Sequence, residues 1–150
     1  MQQTDDRPKS LGSLLRQPYQ ALQHRLYQAL PQHGFADIRA AHSAVLRHID
    51  PEGTRITVLA ERAGMTKQSM GYLVDSLVAG GYLNLMPDPA DGRAKLAALT
   101  QRGTAAIQTL LEESAACERL LAQRIGEEKL AQLRELLEQA GEVLLQEMDS

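Results

Sequence analysis

Four residues, Ala63-Gly64-Met65-Thr66, constrain the fold of this chain more than any others. They join two short amphipathic segments, so the chain must turn sharply between them. Gly64 has the backbone freedom to close the first segment as a helix, and Thr66 offers a hydroxyl to cap the next. Leu59 and Ala60 before the turn, and Leu73, Val74 and Leu77 after it, supply an apolar interface at helical spacing. Helices from about Val58 to Ala63 and from Lys67 to Val78, joined this tightly, make a helix-turn-helix. Gly80-Gly81 stops the second helix.

The next residues read as a hairpin. Tyr82 to Met86 has strand composition, Pro87 to Arg93 is the expected tip, and Ala94 to Leu99 is the returning strand. Taken alone, the tip could be an ordinary surface turn. Directly after a helix-turn-helix, a charged hairpin makes a winged helix, a shape that reads double-stranded DNA.

The flanks are helical. Residues 1–10 are polar and read as a flexible N-terminus. Leu11 to Leu30 forms a helix around Pro18, ended by Pro31-Gln32-His33-Gly34. Asp37 is the expected cap of a second helix with Ile38, Ala41, Val45, Leu46 and Ile49 on one side. Thr54 to Thr57 fits a short strand or a cap. Thr100 caps a long helix that Gly126 interrupts, and Leu130, Leu133, Leu137, Ala140, Leu144 and Met148 then recur every three or four residues. Such a stripe needs a covering helix, either the N-terminal one or a second copy of the chain. The expected fold class is mostly α (α+β). Residues 11–36 and 103–150 would be dimerisation helices around a winged helix-turn-helix lobe at 37–102.

The net charge of -3 argues against nucleic acid, but its distribution does not. Residues 53–102 carry six basic and four acidic groups, whereas residues 103–150 carry four basic and ten acidic. Charge near the phosphates matters more than the total. The single cysteine, Cys117, allows no intrachain disulfide and fits a reducing cytoplasm. No signal peptide or membrane span is legible, so a soluble cytoplasmic protein is expected. Nucleophile elbows, phosphate loops and zinc-protease motifs are absent, which argues against an enzyme. His24, His33, His42 and His48 are too scattered for a metal site, and no cofactor is expected.

A recognition helix presents short polar or basic side chains at its N-terminal end. Thr66, Lys67, Gln68 and Ser69 fit, with Tyr72 one turn on. Gln68 can pair with adenine, Lys67 can reach a guanine edge or a phosphate, and Thr66 and Ser69 can bond phosphate oxygens. Arg93 at a hairpin tip can enter the minor groove, where negative potential is focused. Asp91 would orient its guanidinium, and Lys95 would meet a phosphate.

The run Leu-Ala-Glu-Arg-Ala-Gly-Met-Thr-Lys-Gln-Ser-Met from Leu59, then Leu-Val-Asp-Ser-Leu, Gly-Gly-Tyr-Leu and Asp-Pro-Ala-Asp-Gly-Arg, ends in Leu99-Thr100. It resembles the MarR family of bacterial transcriptional regulators, and the likeness extends over about Leu11 to Leu145. The resemblance implies a homodimer on a palindromic operator, usually a repressor, often released by a small aromatic or phenolic ligand between the lobes. Tyr27, His42 and Leu46 are the candidate ligand contacts. Two departures stand out. Asn84 and Leu85 occupy places where the family often has a basic residue. No cysteine lies near the N-terminus, where oxidant-sensing relatives carry one, and Cys117 reads as packing. The competing reading is a winged-helix protein-interaction module without specific DNA binding.

Overall fold

The structure, a computed structural model, describes residues 8–148. The first seven residues of the expected flexible N-terminus therefore lie outside the described residues. The chain divides into two compact units, one ending at Glu113 and one beginning at Ser114.

Helix α1 spans Leu11–Ala29, and the Ser10 side chain accepts the Ser13 N–H at its start. Pro18 sits inside it and removes one helix donor. A 3-10 turn over Leu30–His33 closes on Gly34. The second helix is shorter than its periodicity predicts. A 3-10 turn over Ala40–His42 runs into α2, which spans only Ser43–Leu46. Asp37 does not cap it, because the Asp37 carboxylate is drawn instead to the Tyr82 hydroxyl.

Strand β1 is only Thr54–Arg55, and α3 follows at Ile56–Ala63, two residues earlier than expected. Arg55 in extended conformation takes the N-cap position that Thr57 was expected to fill. Gly64 ends α3 in the left-handed region at φ 62, where a side chain would strain the backbone. Helix α4 spans Lys67–Ala79, capped by Thr66. Strands β2 (Leu83–Asp88) and β3 (Asp91–Leu99) form the wing. The sheet is antiparallel in the order β1-β3-β2. β1 meets β3 only at Thr54 opposite Ala97 and Arg55 opposite Leu96. Leu59, Met70, Val74, Leu77 and Leu83 fill the core beneath the sheet and helices.

Arg102 closes this lobe. Its guanidinium lies 4.6 Å from the Tyr82 ring centroid and 5.4 Å from that of Phe35. It donates to the carbonyls of Gly80 and Gly34 and to the Tyr82 hydroxyl. Tyr82 in turn donates to Asp37, and burial together with that carboxylate pushes its phenol up to about 12. Helix α5 (Gln101–Ile125) begins here, with the Thr100 hydroxyl accepting the Gly103 N–H at 3.0 Å. The Tyr82 carbonyl presses so close that a Cβ on Gly103 would lie 2.1 Å from it.

In the second unit, Gly126 at φ 94 separates α5 from α6 (Glu127–Met148). Glu127 and Glu128 sit in the first turn of α6, where they complement its dipole. Arg134 bonds Glu118 across the two helices at 2.8 Å. No described residue of α6 is buried, and Leu136, Leu144, Leu145 and Met148 are exposed. Helix α1 likewise buries no residue and exposes Leu11, Leu14 and Tyr19.

Gly103→Ala is expected to cost about 1–3 kcal/mol by overpacking against the Tyr82 backbone. Gly71→Ala, in a helix with nothing within 4 Å of the added carbon, should stabilise by about 0.5–1 kcal/mol. Urea denaturation of both variants checks the pair; equal midpoints would contradict the packing described for Arg102 and Tyr82.

Candidate nucleic-acid interface

Helix α4 begins on a capped and polar end. The Thr66 hydroxyl accepts the Ser69 N–H at 3.1 Å and donates to the Ser69 hydroxyl at 2.9 Å. The Thr66 hydroxyl is thus engaged as both donor and acceptor, and a phosphate contact donated by it would require that pair to open, whereas Ser69 only accepts and keeps its own O–H free to donate. Lys67 and Gln68 beside them are exposed, and Tyr72 one turn later is 68% exposed. Met70, Val74 and Leu77 on the opposite face anchor the helix in the core.

The wing differs from its expected form in two respects. Asp88 pairs with Asp91, so the tip is Pro89-Ala90 alone, and Arg93 lies two residues into β3. Asp91 accepts the Arg93 backbone N–H at 3.1 Å instead of orienting its guanidinium. The reason is local: a short aspartate side chain reaches the amide two residues on more readily than a distant guanidinium.

Lys67, Arg93 and Lys95 nevertheless meet. With Arg55, Ile56, Thr57 and Ala94 they line one groove of about 410 Å³ between the start of α3, the start of α4 and the wing. Among the described residues none of these three cations forms an ion pair with a carboxylate, so their charges in the groove are not directly paired. Arg55 lines the same groove, but its side chain is paired with Asp88. Sequence reading counted Arg55 as local charge and gave it no role. Its place directly before the first helix of the helix-turn-helix was the available signal.

The candidate ligand contacts fall elsewhere. His42 is buried, and both ring nitrogens are engaged: Nδ1 accepts the Arg39 N–H at 2.9 Å and Nε2 pairs with the Ser76 hydroxyl of α4 at 3.1 Å. Because Nδ1 accepts, Nε2 carries the proton and donates. Leu46 belongs to the core. Tyr27 packs against that core, and burial raises its phenol above the ordinary value. A cavity of about 420 Å³ lies between α1 and the segment before α2, lined by Tyr19, Gln20, Gln23, His24, Ala40 and Ser43. None of the three expected residues lines it, although His42 sits between Ala40 and Ser43. Gln23 Oε1 is buried there without a hydrogen-bond partner. Tyr19 accepts from Arg47 at 2.8 Å and from Gln23 at 3.0 Å. Among the described residues no group of three or more His, Cys, Asp or Glu side chains could hold a metal. No helix among them is long and apolar enough to cross a membrane.

Two tight helices, a glycine turn, and a two-stranded wing sharing a cation-lined groove define a winged helix-turn-helix. Residues 36–94 match the MarR family model. The chain is 25% identical to a transcriptional regulator from Thermotoga maritima, with 91% of this chain and 95% of that one covered and a TM-score of 0.64. MarR from E. coli shares the fold at 23% identity, with 89% and 98% covered and a TM-score of 0.72. CouR from Rhodococcus jostii, solved bound to p-coumaroyl-CoA, shares it at 24% identity, with 86% and 90% covered and a TM-score of 0.67. No curated protein matches the chain.

Burial, and then the nearby Arg39 cation, hold the His42 imidazole below its ordinary value of 6.5. Between the lowered value and 6.5 the unfolded chain binds more protons than the folded one, so stability falls as pH drops through that window. His42→Gln should lose less stability than the parent between pH 7 and acid. Denaturation midpoints at several pH values check this, since the other histidines cancel in the difference. An unchanged pH dependence would contradict the buried neutral imidazole.

Proposed function

We propose that this chain is a sequence-specific, double-stranded DNA-binding transcriptional regulator, acting as a homodimeric repressor on a palindromic operator and released by a small molecule. The observation that carries the reading is the groove in which Lys67, Arg93 and Lys95 converge beside the exposed start of α4. A helix start entering the major groove and a basic wing beside it follow the docking geometry of winged helices. In this reading Gln68 reads a base edge, Lys67 and Lys95 meet phosphates, Arg93 reaches the minor groove, and Tyr72 touches the backbone. Thr66 and Asp91 hold the helix start and the wing turn in shape, and Ser69, which accepts from Thr66, keeps its own O–H to donate to a phosphate.

Dimerisation is proposed from the exposed apolar side chains of α1 and α6, among them Leu11, Leu14, Leu136, Leu144 and Leu145. A dimer also doubles the cationic surface, which a modest surplus per protomer makes necessary for tight binding. The effector is proposed to be a small aromatic or phenolic compound, as CouR's bound p-coumaroyl-CoA illustrates for a relative. The cavity beside Tyr19 and Gln23 suits it better than the original trio of Tyr27, His42 and Leu46. It offers an aromatic wall, a histidine and the side-chain amides of Gln20 and Gln23. Such a regulator acts in the cytoplasm, where its operator is, and the assignment leaves no enzymatic role. The low basic surplus keeps a protein-interaction module as the competing reading, and DNA selection separates the two.

Arg93→Ala should weaken binding to a duplex selected from a random pool by about tenfold or more, with little change in melting temperature. Unaltered affinity would remove the wing from the interface. Truncation after Gly126 should abolish the dimer by sedimentation; a well-behaved dimer from that chain would refute the role given to α6.

A further inference from the structure

Three of the four cations lining the groove have no side-chain partner among the described residues, and the fourth is locked in place. Arg55 occupies the N-cap position of α3, yet its side chain makes no capping bond. Its Nε and one Nη donate together to Oδ2 of Asp88 at 2.5 Å. Asp88 lies on β2, the far strand, so the pair spans β3 from edge to edge. The other oxygen of Asp88 accepts the Ala90 N–H at 2.9 Å and holds the wing turn. Asp88 is only 8% exposed, while Pro87, Pro89, Ala90 and Asp91 around it are all exposed. A carboxylate is seldom buried at a hairpin tip unless a cation matches it.

The sheet explains why a tie is needed there. β1 pairs with β3 only as far as Leu96. Beyond that point the wing is a bare two-stranded ribbon, and such ribbons twist more freely than a three-stranded sheet. Arg93 and Lys95 stand on that unsupported half. The Arg55–Asp88 pair is a side-chain link from the start of the helix-turn-helix to it.

We propose that Arg55 and Asp88 form a strut that fixes the wing against the helix-turn-helix, which makes Arg55 a positioning residue and not a phosphate anchor. The proposal rests on the DNA-binding reading above. It predicts an effect of opposite sign to simple electrostatics. If Asp88 only diluted the positive field, removing its charge would tighten DNA binding. If it holds the strut, removing its charge loosens the wing and weakens binding.

Asp88→Asn, Arg55→Gln and the double variant, each in the full chain, test this by fluorescence anisotropy on a duplex selected from a random pool with the parent protein. Hydrogen exchange at the amides of residues 90–95 and thermal melting run alongside. The strut predicts that Asp88→Asn weakens binding by about fivefold, that Arg55→Gln does so comparably, and that the double variant is no worse than the weaker single. Wing amides should exchange faster in both single variants while melting changes little. Equal or tighter binding by Asp88→Asn, or additive losses in the double variant, would overturn the proposal. If no duplex is selected by the parent, the DNA-binding reading fails, and the exchange measurement still decides the strut: unchanged wing protection in both variants would overturn it.

Discussion

Arg102 is the interaction on which the lobe depends. One guanidinium stacks on Tyr82 and Phe35 and ties the carbonyls of Gly34 and Gly80, which lie far apart in the chain. Phe35 meets Tyr82 edge to face, with centroids 6.1 Å apart. The cation satisfies the last turn of α4, the loop after α1 and the start of β2 at once, from the first turn of α5. Guanidinium is suited to this because its donors fan out in a plane that also stacks on rings. Gly80 and Gly103 are small for the same reason: a Cβ at Gly80 would lie 2.6 Å from the Tyr82 ring. Helix α4 and the wing therefore leave a common anchor, and their relative positions are set before any DNA contact is made.

That anchor gives the cationic groove its shape. The wing starts at Tyr82 and returns through Leu99 and Thr100 to α5, so both of its roots are fixed. The exposed half, carrying Arg93 and Lys95, is then aimed by Asp88 and Arg55. Charge is distributed to match. Basic groups outnumber acidic ones over residues 53–102, and acidic groups concentrate after residue 103. His42 adds one more joint, linking the segment beside the Tyr19 cavity to Ser76 on α4.

The helix-turn-helix was legible in the sequence because its signals are local. Gly64 at φ 62, the Thr66 cap, the apolar run of Leu73, Val74 and Leu77, and the Gly126 break each act within a few residues. Features set by distant partners were not legible. Asp37 looked like a helix cap because nothing nearby revealed Tyr82, to which its carboxylate is bonded. Arg102 stood out only as one of the six basic groups of residues 53–102, since its partners sit as far away as Gly34. The wing tip was placed too broadly, because turn composition does not show that Asp88 and Asp91 close it over two residues. Of the candidate site, Lys67, Arg93 and Lys95 do come together, and Arg55 joins them. The cavity lining was missed because Tyr19 and Gln23 resemble any polar positions on an amphipathic helix.

The central claim is that the groove of Lys67, Arg93 and Lys95 serves DNA. Its most direct test is the affinity of the full chain for a selected duplex and for a scrambled one across a salt series. The account predicts a steep linear fall of log affinity with log salt for both, and a selected duplex that scrambled DNA cannot compete away. Weak, salt-insensitive binding that is equal for the two duplexes would contradict it.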